Sequence, residues 1–317
     1  MRSICFALII SVLSFSAVQA QTETKKDTSW KSGAVISLNL TQVSLTNWAG
    51  GGANSISGVA LFNGFENYKK GKHAWDNNIT LAYGIVKNGD ADAIKNEDRI
   101  ELNSKYGYEL SWEHWYGSAF LNFRSQFDKG FANPGDEMKI SDFLAPAYVT
   151  TGLGLDYKPS DNFSVLIAPV TLKMTIVNDD ILAAQGAFGV EAGVLDTSGT
   201  VILKDGEKLR TEFGGLINAL YKVQLMENIK FSTGITLFSN YSEDPDHIDV
   251  NWETLIAATV NKYITVTFGT QLIYDHDIII QEFKGDGTPK LNANGNPVKG
   301  PRTQFKSVLG LGFTYAF

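Results

Sequence analysis

From Trp30 onward the chain alternates apolar and polar residues at a period of two, in segments of about 10–16 residues. Ile100, Leu102, Tyr106, Tyr108, Leu110 and Trp112 alternate with Arg99, Glu101, Asn103, Lys105 and Glu109. Trp115, Ala119, Leu121, Phe123 and Phe127 alternate with Ser118, Asn122, Arg124, Gln126 and Asp128. Leu209, Phe213, Ile217, Ala219, Tyr221, Val223 and Leu225 oppose Arg210, Glu212, Asn218, Lys222 and Gln224. A helix would bring residues three and four apart together and mix these sets; a strand separates them. The pattern predicts about twelve strands, over 33–42, 54–68, 73–87, 97–112, 114–128, 146–158, 162–175, 208–225, 228–242, 247–260, 264–277 and 303–317. Alternation is less clean in 54–68 and in 162–175, where Pro169 interrupts the run.

The connections carry a second signal. Those at Lys69–Lys72, Glu113, Pro159–Asp161, Met226–Glu227 and Asn261–Tyr263 are tight. Those between are mostly longer: 43–53, 88–96, 129–145, 176–207, 243–246 and 278–302. Alternating tight and long connections, with an even strand count, predict a closed up-and-down transmembrane β-barrel of antiparallel strands with both termini at the tight-turn end. In hydrocarbon an unpaired N–H or C=O costs several kcal/mol, so such a sheet must close on itself. Trp75, Tyr106, Tyr108, Trp112, Trp115, Tyr157, Tyr241, Trp252 and Tyr263 fall near predicted strand ends, where interfacial rings belong. The final stretch carries Phe305, Leu309, Leu311, Phe313, Tyr315 and Phe317 on one face, suited to lipid, and Lys306, Gly310, Gly312 and Thr314 on the other. Phe313, Tyr315 and Phe317 resemble the C-terminal assembly signal of outer-membrane barrels, which implies the barrel-assembly machinery as a partner and outer-membrane lipid as the surroundings.

Composition is compatible with this. Mean hydropathy is −0.08, low because only alternate barrel residues would face lipid. Residues 1–20 read as a secretory signal, with Arg2, an apolar run from Ile4 to Val18, and small residues at Ala17-Val-Gln-Ala20. Residues 21–29 are a polar lead-in and 30–317 the barrel. Cys5 is the sole cysteine and lies in the signal, so the processed chain is expected to have no thiol. Without Arg2 the balance is 26 basic against 34 acidic residues, which gives nucleic-acid binding no support.

Four segments carry a family resemblance: Asn47-Trp48-Ala49-Gly50-Gly51-Gly52, Phe143-Leu144-Ala145-Pro146-Ala147-Tyr148, Leu155-Asp156-Tyr157-Lys158-Pro159 and Gly186-Ala187-Phe188-Gly189-Val190. They resemble a family of secreted Bacteroidetes proteins described only as a domain of unknown function. The resemblance implies an outer-membrane-barrel-like protein and brings no activity, ligand or catalytic residue.

Candidate chemistry lies on the inward face. Arg99, Glu101, Lys105, Glu109, Arg124, Asp156, Arg210, Glu212, Lys222, Lys230, Glu253 and Lys306 are expected to line the lumen. Arg99, Glu101, Lys105, Arg124, Arg210 and Glu212 are the candidate ligand-binding set. Charges of both signs there form either a plug or the wall of a narrow polar pore. Register across the Asn261–Tyr263 turn groups His247, Asp249, Asp275 and Asp277 near the outer rim, with Asp244 and Asp246 close by. A polar strand end explains such a group; a divalent cation is the sharper alternative, and a hydrolytic water a further one. None of His73, His114, His247 and His276 has a serine two residues on, so a lipase of the outer-membrane type is not supported. No catalytic residue and no cofactor is implied. Gly50–Gly52 is not followed by the Gly-Lys-Ser/Thr of a phosphate loop. The partly apolar 176–207 is expected to fold over or into the barrel mouth, with a hairpin around Asp196-Thr197-Ser198-Gly199, whereas 284–301 reads as a plain mobile loop. The resulting expectation is a non-enzymatic outer-membrane barrel for passive transport or binding of a small solute. A scaffold barrel docking another envelope protein is the alternative, and a surface hydrolase using the acidic rim ranks third.

Overall fold

The computed structural model describes residues 29–44, 54–282, 284 and 288–316. The predicted signal, most of the lead-in, the Trp48–Gly52 segment and Phe317 lie outside the described residues. Twelve strands form one closed barrel. They are β1 (Trp30–Val43), β2 (Ser55–Lys70), β3 (His73–Asn88), β4 (Ile94–Glu109), β5 (Trp115–Ser125) and β6 (Ala147–Ser160), followed by β7 (Phe163–Ile176), β8 (Leu209–Met226), β9 (Ile229–Asn240), β10 (Ile248–Thr259), β11 (Ile264–Tyr274) and β12 (Gln304–Ala316). Each strand pairs antiparallel with its chain neighbours, and β12 returns to β1, so no sheet edge runs the length of the barrel. The closing seam is the shortest ladder, running from Val35 opposite Ala316 to Asn39 opposite Gly312.

All twelve predicted strands are present, with ends shifted by a few residues. The largest shift is in β4, which spans 94–109 rather than 97–112, so Trp112 sits in a five-residue turn and the 88–96 connection shrinks to 89–93. Pro169 does not end β7. It falls where the β7 register slips against β6 and β8, a bulge that places the imide nitrogen where no ladder hydrogen bond is needed.

The exterior is apolar. Leu309 and Leu311 of β12 are 72% and 61% exposed, while Gly310 and Gly312 between them are buried. Phe305, Phe313 and Tyr315 share that outer face, as expected. Near the turn end, outward rings meet across strands: Trp30 and Tyr68 at 4.9 Å between centroids, Trp115 and Tyr157 at 5.1 Å. Toward the loop end, Phe213 and Tyr241 make a similar pair at 5.8 Å. Strands of 11–18 residues, tilted, match an apolar band of about 25 Å. Such an exterior is consistent with a barrel that crosses a membrane. No helix among the described residues is long and apolar enough to do so. Leu309→Arg should therefore cost about 2–4 kcal/mol in a bilayer, measured by reversible urea unfolding in liposomes. Lys306, three residues away but inward, shows that charge itself is tolerated on this strand. A neutral outcome for Leu309→Arg would mean that this face does not meet lipid.

The apolar segment after β7 folds at the mouth, as expected. A short helix, α1 (Asp180–Ala184), is capped by the Asp179 side chain, which accepts from Leu182 N at 2.9 Å. Leu182, Ala183, Val177 and Val190 bury against Ala145 of the preceding outer loop. Lys139 ties the two loops together, 2.6 Å from Asp142 and 2.5 Å from Asp179. Its hydrogen bond lowers the Asp142 carboxyl below the usual carboxylate range. Val194–Leu195 and Ile202–Lys204 pair as the expected hairpin. In its turn Asp196 accepts from Ser198 Oγ and from Thr200 and Val201 N, the Ser198 bond foremost in holding its carboxyl at about 2. The last outer connection corrects an expectation. Its described residues form a hairpin, Ile279–Gln281 against Lys299–Pro301, with Glu282 paired to Lys290 and Arg302. The cross-strand ion pairs of this hairpin come from residues outside the Gly and Asn runs that suggest a plain loop.

Candidate functional site

Alternation along each strand decides which side chains enter the lumen, and closure decides which of them meet. Near the turn end Lys105 of β4 lies 2.6 Å from Asp156 of β6, and Lys158 of β6 lies 3.0 Å from Asp76 of β3. Asp156 is 3% exposed, and its Oδ1 and the buried Ser118 Oγ face a cavity of about 10 Å³, room for one water.

At mid-height the charges cross the barrel. Arg99 of β4 lies 3.7 Å from Glu253 of β10, six strands away around the ring and so on the opposite wall. The same guanidinium is 3.5 Å from Glu97 and 3.9 Å from Glu101. Lys306 of β12 also reaches across to Glu97. Gln271 donates to Glu253 at 2.8 Å, and Asn103 and Asn122 donate to Glu101. These ion pairs and the hydrogen bonds beside them form one brace across the lumen.

At the loop end two cations organise the acids. Lys173 of β7 lies 2.7 Å from Asp249, 3.4 Å from Asp275 and 3.4 Å from Glu212. Arg210 of β8 lies 2.5 Å from Asp277, 3.4 Å from Glu243 and 3.5 Å from Glu212, and donates to the Gly189 carbonyl of the mouth loop. Beside them is a cavity of about 140 Å³ whose lining includes Glu243, Asp244, His247 and His276.

The lumen is not filled evenly. On the β5–β9 side Leu166, Ala168, Leu216 and Phe238 form a buried cluster against Phe120, and Lys173 Nζ sits 5.2 Å from the Phe238 ring. On the β10–β2 side inward residues remain open to water. Leu255, Val308 and Phe65 share faces with Glu253, Lys306 and Asn63, yet are 44%, 43% and 43% exposed. The interior is therefore packed along one wall and wet along the other.

The structure gathers most of the sequence-predicted residues. Arg99, Glu101, Lys105, Arg210 and Glu212 all enter these ion networks, but at three heights rather than in one pocket. Arg124 faces the lumen beside Tyr148, its partner in register, with no ion pair among the described residues. His247, Asp249, Asp275 and Asp277 do meet at one mouth. Asp249 and Asp275 are engaged by Lys173, Asp277 by Arg210, and His247 stacks on His276 at 3.7 Å and 10°. The group whose ligand atoms lie closest is instead Asp244, Asp246 and His247, all within 4.8 Å.

Residues 40–131 match a family described as "Protein of unknown function (DUF3078)". No curated protein matches the chain. Among solved structures, the COG4313 outer membrane channel from Pseudomonas putida F1 is similar at 11% identity and a TM-score of 0.39, over 95% of this chain and 100% of that one. The translocator domain of the autotransporter NalP from Neisseria meningitidis is similar at 8% identity and a TM-score of 0.33, over 98% of this chain and 93% of that one. The NanC porin is similar at 7% identity and 0.32, over 89% of this chain and 98% of that one.

Sequence reasoning does not single out Lys173 or Glu97, and it weighs His276 only as a lipase histidine, not as part of the rim. Lys173 has a physical reason. Leu166 and Ala168 point inward at even numbers, and the bulge at Pro169 moves the inward face to Thr171, Lys173 and Thr175. A proline inside an otherwise regular strand was the available signal.

Proposed function

We propose that this chain is an integral outer-membrane barrel, of the Bacteroidetes kind its segments resemble, that acts as a narrow passive channel for small hydrophilic solutes. The uneven lumen carries this reading. A wall of half-exposed inward side chains along β10–β2 leaves a wet passage, while the packed β5–β9 side and the Arg99–Glu253 brace restrict its width. The apolar exterior supports lipid as its surroundings, and the outward Phe313 and Tyr315 support delivery by the barrel-assembly machinery. The reading assigns no catalysis to the acidic mouth, because Asp249, Asp275 and Asp277 are each held by a cation rather than left as a free acid–base pair.

Planar-bilayer recording tests it. Purified protein should give small, defined conductance steps. Arg99→Ala with Glu253→Ala should raise the unit conductance by about a factor of two, since two long side chains leave a lumen only twelve strands wide. A folded barrel that never conducts, with or without the brace, would leave the scaffold reading instead.

A further inference from the structure

We propose that two ladders at mid-height, one of carboxamides and one of carboxamides with a threonine hydroxyl between them, make the passage a binding site for neutral, polyhydroxylated solutes of sugar size. This rests on the channel reading and names what the channel takes. On one wall Asn78, Asn103 and Asn122 are successive cross-strand partners on β3, β4 and β5. Asn122 donates to Asn103 at 2.6 Å, and Asn78 donates to Asn63 of β2 at 3.4 Å. On another wall Asn218, Thr236 and Asn251 are successive partners on β8, β9 and β10. Asn218 donates to Thr236 at 2.8 Å, and Gln271 of β11 donates to Asn251 at 3.2 Å. Each of these amides is half-buried, neither sealed into the wall nor in open solvent.

The chemistry selects the guest. A carboxamide offers two donors and a carbonyl with two lone pairs, and the bonds among neighbours use only part of that capacity. A hydroxyl is likewise donor and acceptor, so a row of amides matches a row of hydroxyls. The fixed charges at this height are mostly turned on one another: Arg99 on Glu253, Glu97 and Glu101, and Lys306 on Glu97, with Arg124, opposite Glu101 in register, the exception. A charged solute lying along the amides would lose hydration to uncharged groups, which costs far more than desolvating a sugar. A purely structural role is the competing explanation. The ladders also orient the brace, through Asn103 and Asn122 on Glu101 and Gln271 on Glu253.

The two roles separate by a ratio. The full-length barrel is placed in liposomes, and swelling is compared for arabinose or glucose and for sodium gluconate of similar size. In planar bilayers the same sugars are added to an open channel. The expected result is faster uptake of sugar than of gluconate, and a saturable block of ion current by sugar. Asn103→Leu with Asn122→Leu should weaken that block about tenfold, the loss of one to two net hydrogen bonds. The sugar-to-gluconate ratio should fall toward one. Asn251→Ala on the other wall serves as an independent variant, with heat-modifiable gel mobility reporting folding in both. If the ladders only orient the brace, the variants change all solutes in proportion and leave the ratio intact. A wild-type barrel that conducts but shows no block and a ratio of one overturns the sugar proposal while leaving the channel reading. One that neither conducts nor swells overturns both.

Discussion

Lys173→Met should destabilise the barrel by about 3–5 kcal/mol, the usual result of removing one partner from a buried ionic cluster. Its ammonium lies within 3.4 Å of Glu212, Asp249 and Asp275, and its side chain is 14% exposed. Glu212, at 2% side-chain exposure, cannot turn to water. Arg210 still reaches Glu212 but is already engaged with Glu243 and Asp277. Methionine keeps most of the aliphatic stem against Phe238, so the loss isolates charge from packing. Denaturant unfolding in liposomes, followed by tryptophan fluorescence, measures it. Adding Glu212→Gln and Asp249→Asn to Lys173→Met should restore much of the loss, because the stranded charges go with their cation. Equal stability of wild type and Lys173→Met would show that water reaches the cluster freely and that the loop end is open rather than braced.

Gly154→Val should prevent the barrel from reaching its folded, heat-resistant form. Gly154 of β6 points inward beside the β7 bulge. A Cβ there would meet the Ile167 carbonyl oxygen and lie 2.7 Å from Ala168 Cα, both backbone atoms that cannot rotate away. Alanine alone should cost about 1–3 kcal/mol, the range for overpacking a filled interior, and valine more. Gly234 of β9 is the control. It also faces the lumen, but a Cβ there would find Leu220 Cδ1 at 3.6 Å and Ala219 O at 3.9 Å, ordinary contact. Gly234→Ala should therefore fold and unfold like the parent. If Gly154→Val gives the heat-dependent gel shift of the wild type, the close approach of β6 and β7 at the bulge is wrong.

Much of the architecture could be read from the chain because a strand has a period of two. Arg99, Glu101 and Lys105 had to share a face, as did Phe313 and Tyr315 on the opposite kind of face, whatever the strands paired with. Alternating tight and long connections then left one simple ring as the natural closure. The mouth segment 176–207 was legible for a different reason: Leu182, Ala183 and Val190 are too apolar to stand in water, and they bury at the mouth.

What alternation could not supply was distance across the ring. Arg99 and Glu253 meet because strand number, tilt and register set a width that two long side chains just bridge, and none of those quantities is local. The same holds for the acidic rim. Sequence grouped His247, Asp249, Asp275 and Asp277 through a single turn. Lys173 and Arg210 arrive from β7 and β8, three and two strands around the wall from β10, and Lys173 arrives only because the bulge at Pro169 shifted its face. Local periodicity thus assigned each residue to lipid or lumen. Three-dimensional closure chose its partner, because ion pairing depends on separations of a few ångströms that only the finished ring defines.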